Sequence, residues 1–496
     1  MGWQMHLMEI YNKEAGRKEK MNVLNHDKLH QRYFEEISRI PRASKNEEAC
    51  ANYLEEFAKT HGLSYKRDAL HNVVIYKPAS AGYEDHGAVI LQAHTDMVCE
   101  KNADCAHDFD NDPIDLYIED GILKAKGTTL GADDGVGCAY MMALLADDLP
   151  HPALECAFTV QEEIGLYGAF ALKTEYFTGK RYVNLDFGGH GRGTCTTSAG
   201  GEMISLKKPV EFEPCESQAY RIFVTGLKGG HSGSCIIMEL GNALKICARI
   251  LKEISGSCDM RIVRLNGGLK NNAIPRECEA VFASGAKEED IRRAFEKMEA
   301  QIRNEIKFQE PDFVVTLEKT AGESAACEEV SADLIDLMYL LPTGVRHRSL
   351  QIENLPAASE NFAAVRCGED YVNFQYSLRA EKSSYRDQME KELCILAGIY
   401  DMTMDVSGKY PAWEFNPDSS LRNTLCRVYK EMKGEDMELL ATHGGLECGV
   451  FCEMIPGLDV VTLGAETDGA HTPKEQMNLK SFDETFEILK AFLREL

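Results

Sequence analysis

The sequence lacks paired cysteine spacings, long apolar runs and an excess of basic residues. Its 17 cysteines are odd in number, scattered and never spaced as C-x-x-C, which predicts reduced thiols in a cytosolic protein and not a disulfide scaffold. No run approaches the roughly 18 uncharged apolar residues of a membrane span. The beginning of the chain has no basic start followed by an apolar stretch. We therefore expect a cytoplasmic protein with no membrane partner.

Acidic residues outnumber basic ones by 80 to 54, which gives a net charge of -26. This charge repels phosphate backbones, so we expect no nucleic-acid partner. The hydrophobic fraction of 44% is enough for a large core. At 496 residues the chain is long enough for two or more domains.

Changes in sequence pattern along the chain predict two domains. Residues 1–20 look like an extension, because the first amphipathic pattern begins only after Met21. Residues 21–200 form the first part of one domain. From about residue 50 this part alternates helical patterns with short apolar runs such as "GAVILQAH" and "ALECAFTV", which predicts an α/β domain with a largely parallel mixed sheet flanked by helices. Residues 201–385 have longer polar-apolar alternations and resemble an inserted α+β domain, and residues 386–496 return to the first domain.

The last segment, "SFDETFEILKAFLREL", predicts a helix. Ser481 and Glu484 have the spacing of a capping box at its start. One face of this helix is apolar and consists of Phe482, Phe486, Leu489 and Leu493.

Chemically active side chains follow five of the predicted strands. In open α/β sheets, functional residues collect in the loops just past the carboxyl ends of the strands. Imidazole and carboxylate groups in such loops suit zinc or a similar divalent metal. The residues in these loops are His94, Asp96, Asp133, Asp134, Glu162, Glu163, Asp186 and His471.

Each of these residues, taken alone, has a purely structural explanation. Asp133 and Asp134 could cap the helix that starts near Gly135, Asp186 could cap a turn into "GGHGRG", and a lone histidine after a strand is usually a satisfied polar group. These explanations do not predict that all five sets occur in the same kind of loop, so together the residues favour a metal site. Two histidines and three carboxylates can hold two ions roughly 3.5 to 4 Å apart if one carboxylate bridges them.

The adjacent glutamates of "TVQEEIG" fit such a site. In a loop just past a strand, one of them can bind metal while the other acts as general base toward a water. Asp96, two residues after His94, can accept the ring N–H of that histidine and fix its tautomer.

Eight motifs, in order, carry a family resemblance: "HTDM", "GTTLGADDGVG", "QEEIGLYGA", "NLDF", "GLKGGHSG", "NNAIPRE", "GGLECGVF" and "GAHTPKE". Together they resemble the aminoacyl-histidine dipeptidases (Xaa-His or cytosol non-specific dipeptidases). These belong to the co-catalytic zinc exopeptidases, which also include carnosinases and aminoacylases. The resemblance spans residues 94–475 and implies a zinc-exopeptidase catalytic domain with an inserted α+β lid domain.

The resemblance also implies the metal ligands. His94, Asp133 and Asp186 would hold one divalent ion, Glu163 and His471 would complete the second, and Asp133 would bridge the two. The expected ions are zinc, with cobalt or manganese as alternatives.

Further roles follow from the same resemblance. Glu162 would be the general base, and Asp96 would orient the histidine ligand. His231 of the inserted domain would donate to the carbonyl oxygen of the substrate, and in dimeric relatives this histidine can come from the partner subunit. Asn272 and Arg379 match positions that bind the C-terminal carboxylate of the substrate. A homodimer is expected.

The sequence departs from the family pattern at two places. Asp134 stands where many relatives carry Asn, and "GAETDGAH" before His471 is more acidic than expected. The predicted reaction is metal-assisted hydrolysis of a dipeptide, with Glu162 passing a proton from water to the leaving amine. Two alternatives are an amidohydrolase of N-acyl amino acids on the same scaffold and a non-catalytic binding protein.

Overall fold

The computed structural model describes residues 22–187 and 191–496. The extension predicted for residues 1–20 lies outside the described residues, as do residues 188–190 of the "GGHGRG" turn. All 17 cysteines lie within the described residues and are free thiols. No helix in the described ranges is both long enough and apolar enough to cross a membrane.

The helices and strands are numbered separately in chain order. The helices are α1 (Leu29–Ile37), α2 (Glu48–Thr60), α3 (Ala132–Ala146), α4 (Tyr167–Ala171), α5 (Ala243–Ser255), α6 (Glu288–Ile306), α7 (Glu328–Leu340), α8 (Ser383–Ile399), α9 (Ser420–Lys433), α10 (Glu447–Met454) and α11 (Leu479–Arg494). The strands are β1 (Ser64–Arg67), β2 (Val73–Lys77), β3 (Val89–His94), β4 (Leu116–Glu119), β5 (Ile122–Ala125), β6 (Leu154–Thr159), β7 (Arg181–Asn184), β8 (Gly193–Ser198), β9 (Gly200–Pro209), β10 (Phe212–Pro214), β11 (Gln218–Thr225), β12 (Gly230–His231), β13 (Arg261–Gly267), β14 (Ala273–Ile274), β15 (Cys278–Ser284), β16 (Val314–Thr320), β17 (Ser324–Ala326), β18 (Gly344–Arg348), β19 (Pro356–Cys367), β20 (Tyr371–Ala380), β21 (Thr403–Tyr410), β22 (Glu438–Thr442), β23 (Asp459–Thr462), β24 (Thr467–Asp468) and β25 (Gln476–Asn478).

The chain divides into two compact units. The described residues of the first unit fall in Met1–Thr194, Ser419–Glu438 and Gly457–Leu496, and the second unit comprises Cys195–Asp418 and Leu439–Pro456. The sequence pattern predicts that the inserted domain ends at residue 385. In the structure the second unit continues past this residue, because β21 pairs with β9 of the same unit.

The first unit is built on a six-stranded sheet of order β1-β2-β6-β3-β7-β23. The pairs β6/β3, β3/β7 and β7/β23 are parallel, whereas β1 and β2 form an antiparallel edge. Every residue of β3 and β6 is buried, which is why these strands have almost continuous apolar sequences. The prediction of a largely parallel mixed sheet flanked by helices is confirmed. The carboxyl ends of β6, β3 and β7 lie side by side.

The second unit is built on a nine-stranded antiparallel sheet, whose main path is β16-β11-β15-β13-β19-β20-β9-β21, with β18 paired to β19. Helix α5 packs on this sheet and buries an apolar face that includes Leu244, Ile250 and Leu251. The long polar-apolar alternations of this part of the sequence therefore correspond to half-buried antiparallel strands, as expected of an α+β domain.

The C-terminal helix α11 starts earlier than its predicted capping box. Its N-cap is Asn478, whose side chain accepts from the backbone N–H groups of Lys480 and Ser481. The Ser481 hydroxyl instead accepts from the backbone N–H of Glu466, at 2.9 Å. The capping-box prediction is therefore wrong. The predicted apolar face is correct, because Phe482, Phe486, Leu489 and Leu493 are all buried.

Candidate metal centre

A first group of ligand atoms surrounds His94 at the end of β3. The His94 side chain is buried, and its Nε2 lies 2.9 Å from Oδ1 of Asp133 and 3.8 Å from Oδ1 of Asp186. Its Nδ1 lies 3.0 Å from the backbone carbonyl of Asp96. Since a carbonyl only accepts, Nδ1 carries a proton and Nε2 is the atom available to a metal. His94, Asp133 and Asp186 each offer one ligand atom, all within 4.8 Å of one another.

A second group of ligand atoms shares Asp133 with the first. His471 Nε2 lies 3.0 Å from Oε1 of Glu163 and 3.3 Å from Oδ2 of Asp133. The ligand atoms of Asp133, Glu163 and His471 also lie within 4.8 Å of one another. One oxygen of Asp133 thus faces His94 and the other faces His471, so this carboxylate lies between two groups of donors.

Two adjacent aspartates at the irregular start of α3 have different partners. Asp133 (φ -84°, ψ 106°) and Asp134 (φ -111°, ψ 46°) have non-helical backbone angles, and the peptide bond between them is cis. The Asp134 Oδ1 accepts from the backbone N–H of Gly137 at 2.9 Å. The helix-capping explanation therefore applies to Asp134, while Asp133 faces the histidines.

Asp96 organises the turn that carries the two glutamates. Its Oδ1 accepts from the backbone N–H of Glu162 at 3.0 Å, and its Oδ2 accepts from Glu163 at 3.3 Å and from the Ser44 hydroxyl at 2.8 Å. The Asp96 carboxylate is 3.5 Å from Nδ1 of His94, farther than the carbonyl of the same residue. In this structure the ring N–H of His94 is therefore held mainly by the Asp96 backbone, and the Asp96 side chain fixes the glutamate turn. His94, Glu162 and Glu163 also form a third group of ligand atoms within 4.8 Å.

The carboxylates of the two groups are buried close to one another and to the histidines, which shifts their pKa values. Burial and the neighbouring Asp133 raise the pKa of Asp186 well above its usual value. Burial acts to raise the pKa of Asp133 too, but hydrogen bonds with His471 and His94 outweigh it and the pKa is lowered. Hydrogen bonds with Asp133 and Glu163 raise the pKa of His471 to about 10. The arrangement favours a positive charge between these carboxylates, and a divalent cation would supply it.

The second unit contains His231 and Asn272, which lie on one short β-ribbon. In this ribbon β12 pairs with β14, with His231 opposite Ala273, and the Ser232 N–H donates to the carbonyl of Asn272 at 2.8 Å. Nδ1 of His231 accepts from the backbone N–H groups of Gly233 and Ser234 at 3.2 and 3.3 Å. Because Nδ1 accepts, the ring proton of neutral His231 resides on Nε2, which can donate.

Arg379 lies on β20 in the same unit. Its Nη1 donates to the Tyr410 hydroxyl at 3.1 Å and to the His443 carbonyl at 3.3 Å. His443 is buried and shares a 2.7 Å hydrogen bond with the Ser359 hydroxyl. Burial, Arg379 and His231 together lower the pKa of His443 to about 3, so this histidine is neutral at physiological pH.

Three residues of the first unit that the sequence did not predict support these groups. Ser44 donates to the Asp96 carboxylate, Arg42 donates to the carbonyls of Thr95 and Asp96, and Glu475 accepts from the backbone N–H of Asp133. Glu475 lies inside the motif "GAHTPKE", in which His471 carries the metal-ligand signal. Arg42 and Ser44, in "IPRASK", had no motif to mark them.

A family model described as Peptidase family M20/M25/M40 matches residues 90–495. The chain belongs to this family. It is 34% identical to the cytosol non-specific dipeptidase of Escherichia coli (strain K12) over 467 residues, which cover 93% of this chain and 96% of that protein. The crystal structure of aminoacylhistidine dipeptidase from Vibrio alginolyticus has a TM-score of 0.87 at 32% identity and covers 98% of this chain and 99% of its own. The predicted family resemblance is confirmed.

A more distant structure shares the fold of this M20 peptidase. An M20 family metallo-carboxypeptidase from Sulfolobus solfataricus has a TM-score of 0.52 at 14% identity, with coverage of 94% of this chain and 98% of its own. Membership of a metallopeptidase family implies divalent metal ions, and the histidine and carboxylate groups of the first unit have the donor types that such ions require.

Proposed function

We propose that this chain is a dinuclear metallo-dipeptidase that hydrolyses dipeptides, including Xaa-His and a broader range of Xaa-Xaa substrates. The observation that carries the proposal is the position of Asp133, whose two oxygens face His94 and His471 at 2.9 and 3.3 Å. A carboxylate shared in this way is what a two-metal site requires. The names of the Escherichia coli and Vibrio alginolyticus relatives support the substrate class.

In the proposed centre, His94 and Asp186 would hold one ion, Glu163 and His471 would hold the other, and Asp133 would be shared by the two. The ions are zinc, with cobalt or manganese as alternatives. When bound, two such ions supply Lewis acidity toward the substrate carbonyl and toward a water molecule. The mixture of imidazole and carboxylate donors fits this assignment.

The chain's own residues move the proton. Glu162, adjacent to Glu163 in the turn held by Asp96, accepts a proton from the attacking water and delivers it to the leaving amine. His231 donates its Nε2–H to the substrate carbonyl oxygen and stabilises the charge that develops there. Its tautomer supports this role, since Nδ1 already accepts from two backbone N–H groups.

In this proposal the second unit recognises the substrate carboxylate. Asn272 and Arg379 bind the C-terminal carboxylate, and the second unit serves as the lid and dimerisation domain of a homodimer. Tyr410 and the carbonyl of His443 hold the Arg379 guanidinium. By analogy with the cytosolic relative, we place the protein in the cytoplasm.

The proposal is tested by comparing wild type with Glu162→Gln, each loaded with zinc, on Gly-His, β-Ala-His and N-acetyl-His. Glutamine keeps the shape of Glu162 but cannot accept the proton. We expect wild type to cleave the dipeptides, and we expect the variant to lose roughly 100-fold or more of kcat while zinc, measured by elemental analysis, stays bound. Glu119→Gln, at an exposed glutamate of β4 paired with Lys124, is the matched control and should keep full activity.

Each contrary result has a separate meaning. Turnover of N-acetyl-His alone would replace the dipeptidase proposal by the N-acyl-amino-acid amidohydrolase. Zinc binding without turnover of any of the three substrates by wild type would favour a binding protein. Loss of zinc from Glu162→Gln would make Glu162 a ligand instead of the base.

A further inference from the structure

Four consecutive backbone N–H groups before and at the shared aspartate point at one buried carboxylate. Glu475 Oε2 accepts from Leu130 at 2.7 Å and from Gly131 at 3.0 Å, and its Oε1 accepts from Ala132 at 2.8 Å and from Asp133 at 3.3 Å. Glu475 is only 4% exposed. Both of its oxygens are therefore used to hold one loop, residues 130–133.

Glu475 comes from the segment that also carries His471. The two residues are joined by a tight turn in which the backbone N–H of Glu475 donates to the carbonyl of Thr472 at 3.0 Å, and β25 begins at the next residue. The hydrogen bonds of Glu475 thus tie the segment of one histidine to the loop of Asp133. Glu475 itself belongs to none of the three groups of potential ligands among the described residues.

Arg42 holds the same loop from another direction. Its Nη2 donates to the carbonyl of Gly131 at 2.6 Å, and its Nη1 donates to the carbonyls of Thr95 and Asp96 at 2.9 and 3.3 Å. Gly131 has a φ of 72°, and a Cβ at this position would collide with the Arg42 guanidinium. The N–H of Gly131 therefore donates to the Glu475 carboxylate, while its carbonyl accepts from the Arg42 guanidinium. The same guanidinium donates to Thr95 and Asp96, the two residues after His94.

We infer that Glu475 is a positioning residue that fixes Asp133 between the two histidines, with Arg42 holding the loop from its carbonyl side. This inference rests on the proposed function. Asp133 has non-helical backbone angles, so helical hydrogen bonds of α3 do not set its position. The carboxylate of Glu475, with four N–H donors in place, does so instead. Partners of this kind, which orient a ligand without touching the metal, typically alter metal affinity by roughly 10–100-fold when removed.

The test is Glu475→Gln, studied as the full chain by calorimetric titration with Zn²⁺ and by the visible absorption spectrum of the Co²⁺-loaded protein. The amide would turn an N–H₂ donor toward two N–H groups and so release part of the loop. We expect the Zn²⁺ affinity to fall by roughly 10–100-fold, and we expect the Co²⁺ spectrum to change because the ligand geometry changes.

Glu155→Gln is the matched control. Glu155 is also a buried glutamate of the first unit, and it accepts from the backbone N–H groups of Thr178 and Gly179 at 2.9 to 3.1 Å. It lies near the amino end of β6, away from the end that carries the glutamate turn. A purely structural role of Glu475 predicts that both variants lower the melting temperature and leave Zn²⁺ affinity and the Co²⁺ spectrum unchanged.

The inference is overturned if Glu475→Gln binds Zn²⁺ as wild type does, or if Glu155→Gln reproduces its loss of affinity. If circular dichroism shows that Glu475→Gln does not fold, Arg42→Lys replaces it, because lysine cannot reach the three carbonyls with a planar fork. The same loss of affinity is then expected, and unchanged affinity overturns the inference. Failure of wild type to bind a divalent ion or to hydrolyse dipeptides would be a failure of the proposed function, visible without any variant.

Discussion

Asp133 is the single residue on which the proposed two-metal chemistry depends most directly. Its Oδ1 faces His94 and its Oδ2 faces His471. Asp133→Asn keeps the side-chain volume but replaces one oxygen by an N–H₂ group, which cannot bind a cation. Removal of a group that orients a metal ligand typically lowers activity by roughly 10–100-fold, and loss of the ligand itself should lower it further. We therefore expect kcat/KM to fall by more than about 100-fold. Elemental analysis should show less than the wild-type metal content.

The neighbouring Asp134 provides the control. It accepts from the Gly137 N–H at 2.9 Å through Oδ1, and asparagine can accept in the same way. Asp134→Asn should therefore retain its metal, and its kcat/KM should fall much less than that of Asp133→Asn. Equal losses in the two variants would argue against a bridging role specific to Asp133.

At the scale of single residues, the sequence predicts those residues whose side chains are themselves typical metal ligands. Imidazole and carboxylate after strand ends drew attention to His94, Asp133 and His471, and the fold brings these three together. Glu475 and Arg42 could not be found in this way, because they act on backbone N–H and carbonyl groups, which every residue possesses. Only the three-dimensional positions of loop 130–133 show that these two side chains are needed there.

At the scale of elements, helix α3 approaches the parallel sheet unusually closely at Gly137. A Cβ at this position would lie 2.7 Å from Cβ of Ala93 and 2.7 Å from Cβ of Leu185. These two residues immediately precede His94 and Asp186. The absence of a side chain at residue 137 thus allows α3, which begins at the Asp133 loop, to pack against two strand ends that carry candidate ligands.

Gly137→Ala should therefore disturb both stability and the metal centre. Overpacking a tight contact typically costs 1–3 kcal/mol, and we expect a lower melting temperature together with weaker Zn²⁺ binding in calorimetric titration. Gly398→Ala is the control, since Gly398 lies in helix α8 with no atom within 4 Å of its added Cβ. Alanine there should stabilise the protein slightly, by up to about 1 kcal/mol. An unchanged Zn²⁺ affinity in Gly137→Ala would contradict the importance of this close approach.

The elements of the first unit were easier to predict than those of the second. Strands β3 and β6 are buried on both faces, so their sequences are short and almost continuously apolar, and parallel pairing follows from the alternation with helices. The two-residue strands β12 and β14 have no such signal. Their pairing, which brings His231 next to Asn272, is a tertiary effect. The predicted capping box failed for a similar reason, since the backbone N–H of Glu466, distant in sequence, uses the Ser481 hydroxyl.

At the scale of the whole molecule, each of the two compact units has a large hydrophobic core of its own. The core of the first unit includes Phe34, Tyr140 and Phe482, and the core of the second includes Phe282 and Phe362. Units with their own cores can unfold in separate transitions. A titratable group buried in one unit should therefore change the transition of that unit with pH.

Glu360 is such a group in the second unit. It lies on β19 with a fully buried side chain, and one of its oxygens pairs with Arg346, which also donates to Glu392 at 2.7 Å. The other oxygen has no hydrogen-bond partner among the described residues, and neither does the nearby buried Tyr376 hydroxyl. Burial raises the pKa of Glu360 from 4.5 to about 7, although Arg346 acts to lower it. The folded protein thus holds this proton at pH values where the unfolded chain has released it.

The sign of the effect follows from this difference. Between about pH 4.5 and pH 7 the folded state binds more protons than the unfolded state, so the contribution of Glu360 to stability falls as the pH rises. At about 1.4 kcal/mol per pKa unit, the contribution of Glu360 to the free energy of unfolding of wild type should fall by roughly 2–3 kcal/mol between pH 5 and pH 8.

Glu360→Gln, which does not titrate, should lack that loss. Its melting temperature relative to wild type should therefore rise over this interval in calorimetry with EDTA present throughout. Glu305→Gln, in the same unit, is the control: the hydrogen bond from Arg249 lowers the pKa of Glu305, which places its contribution below this interval, and its difference from wild type should be constant. Parallel curves for wild type and Glu360→Gln would show that Glu360 is already ionised at pH 5 in the folded protein, with Arg346 outweighing the cost of burial.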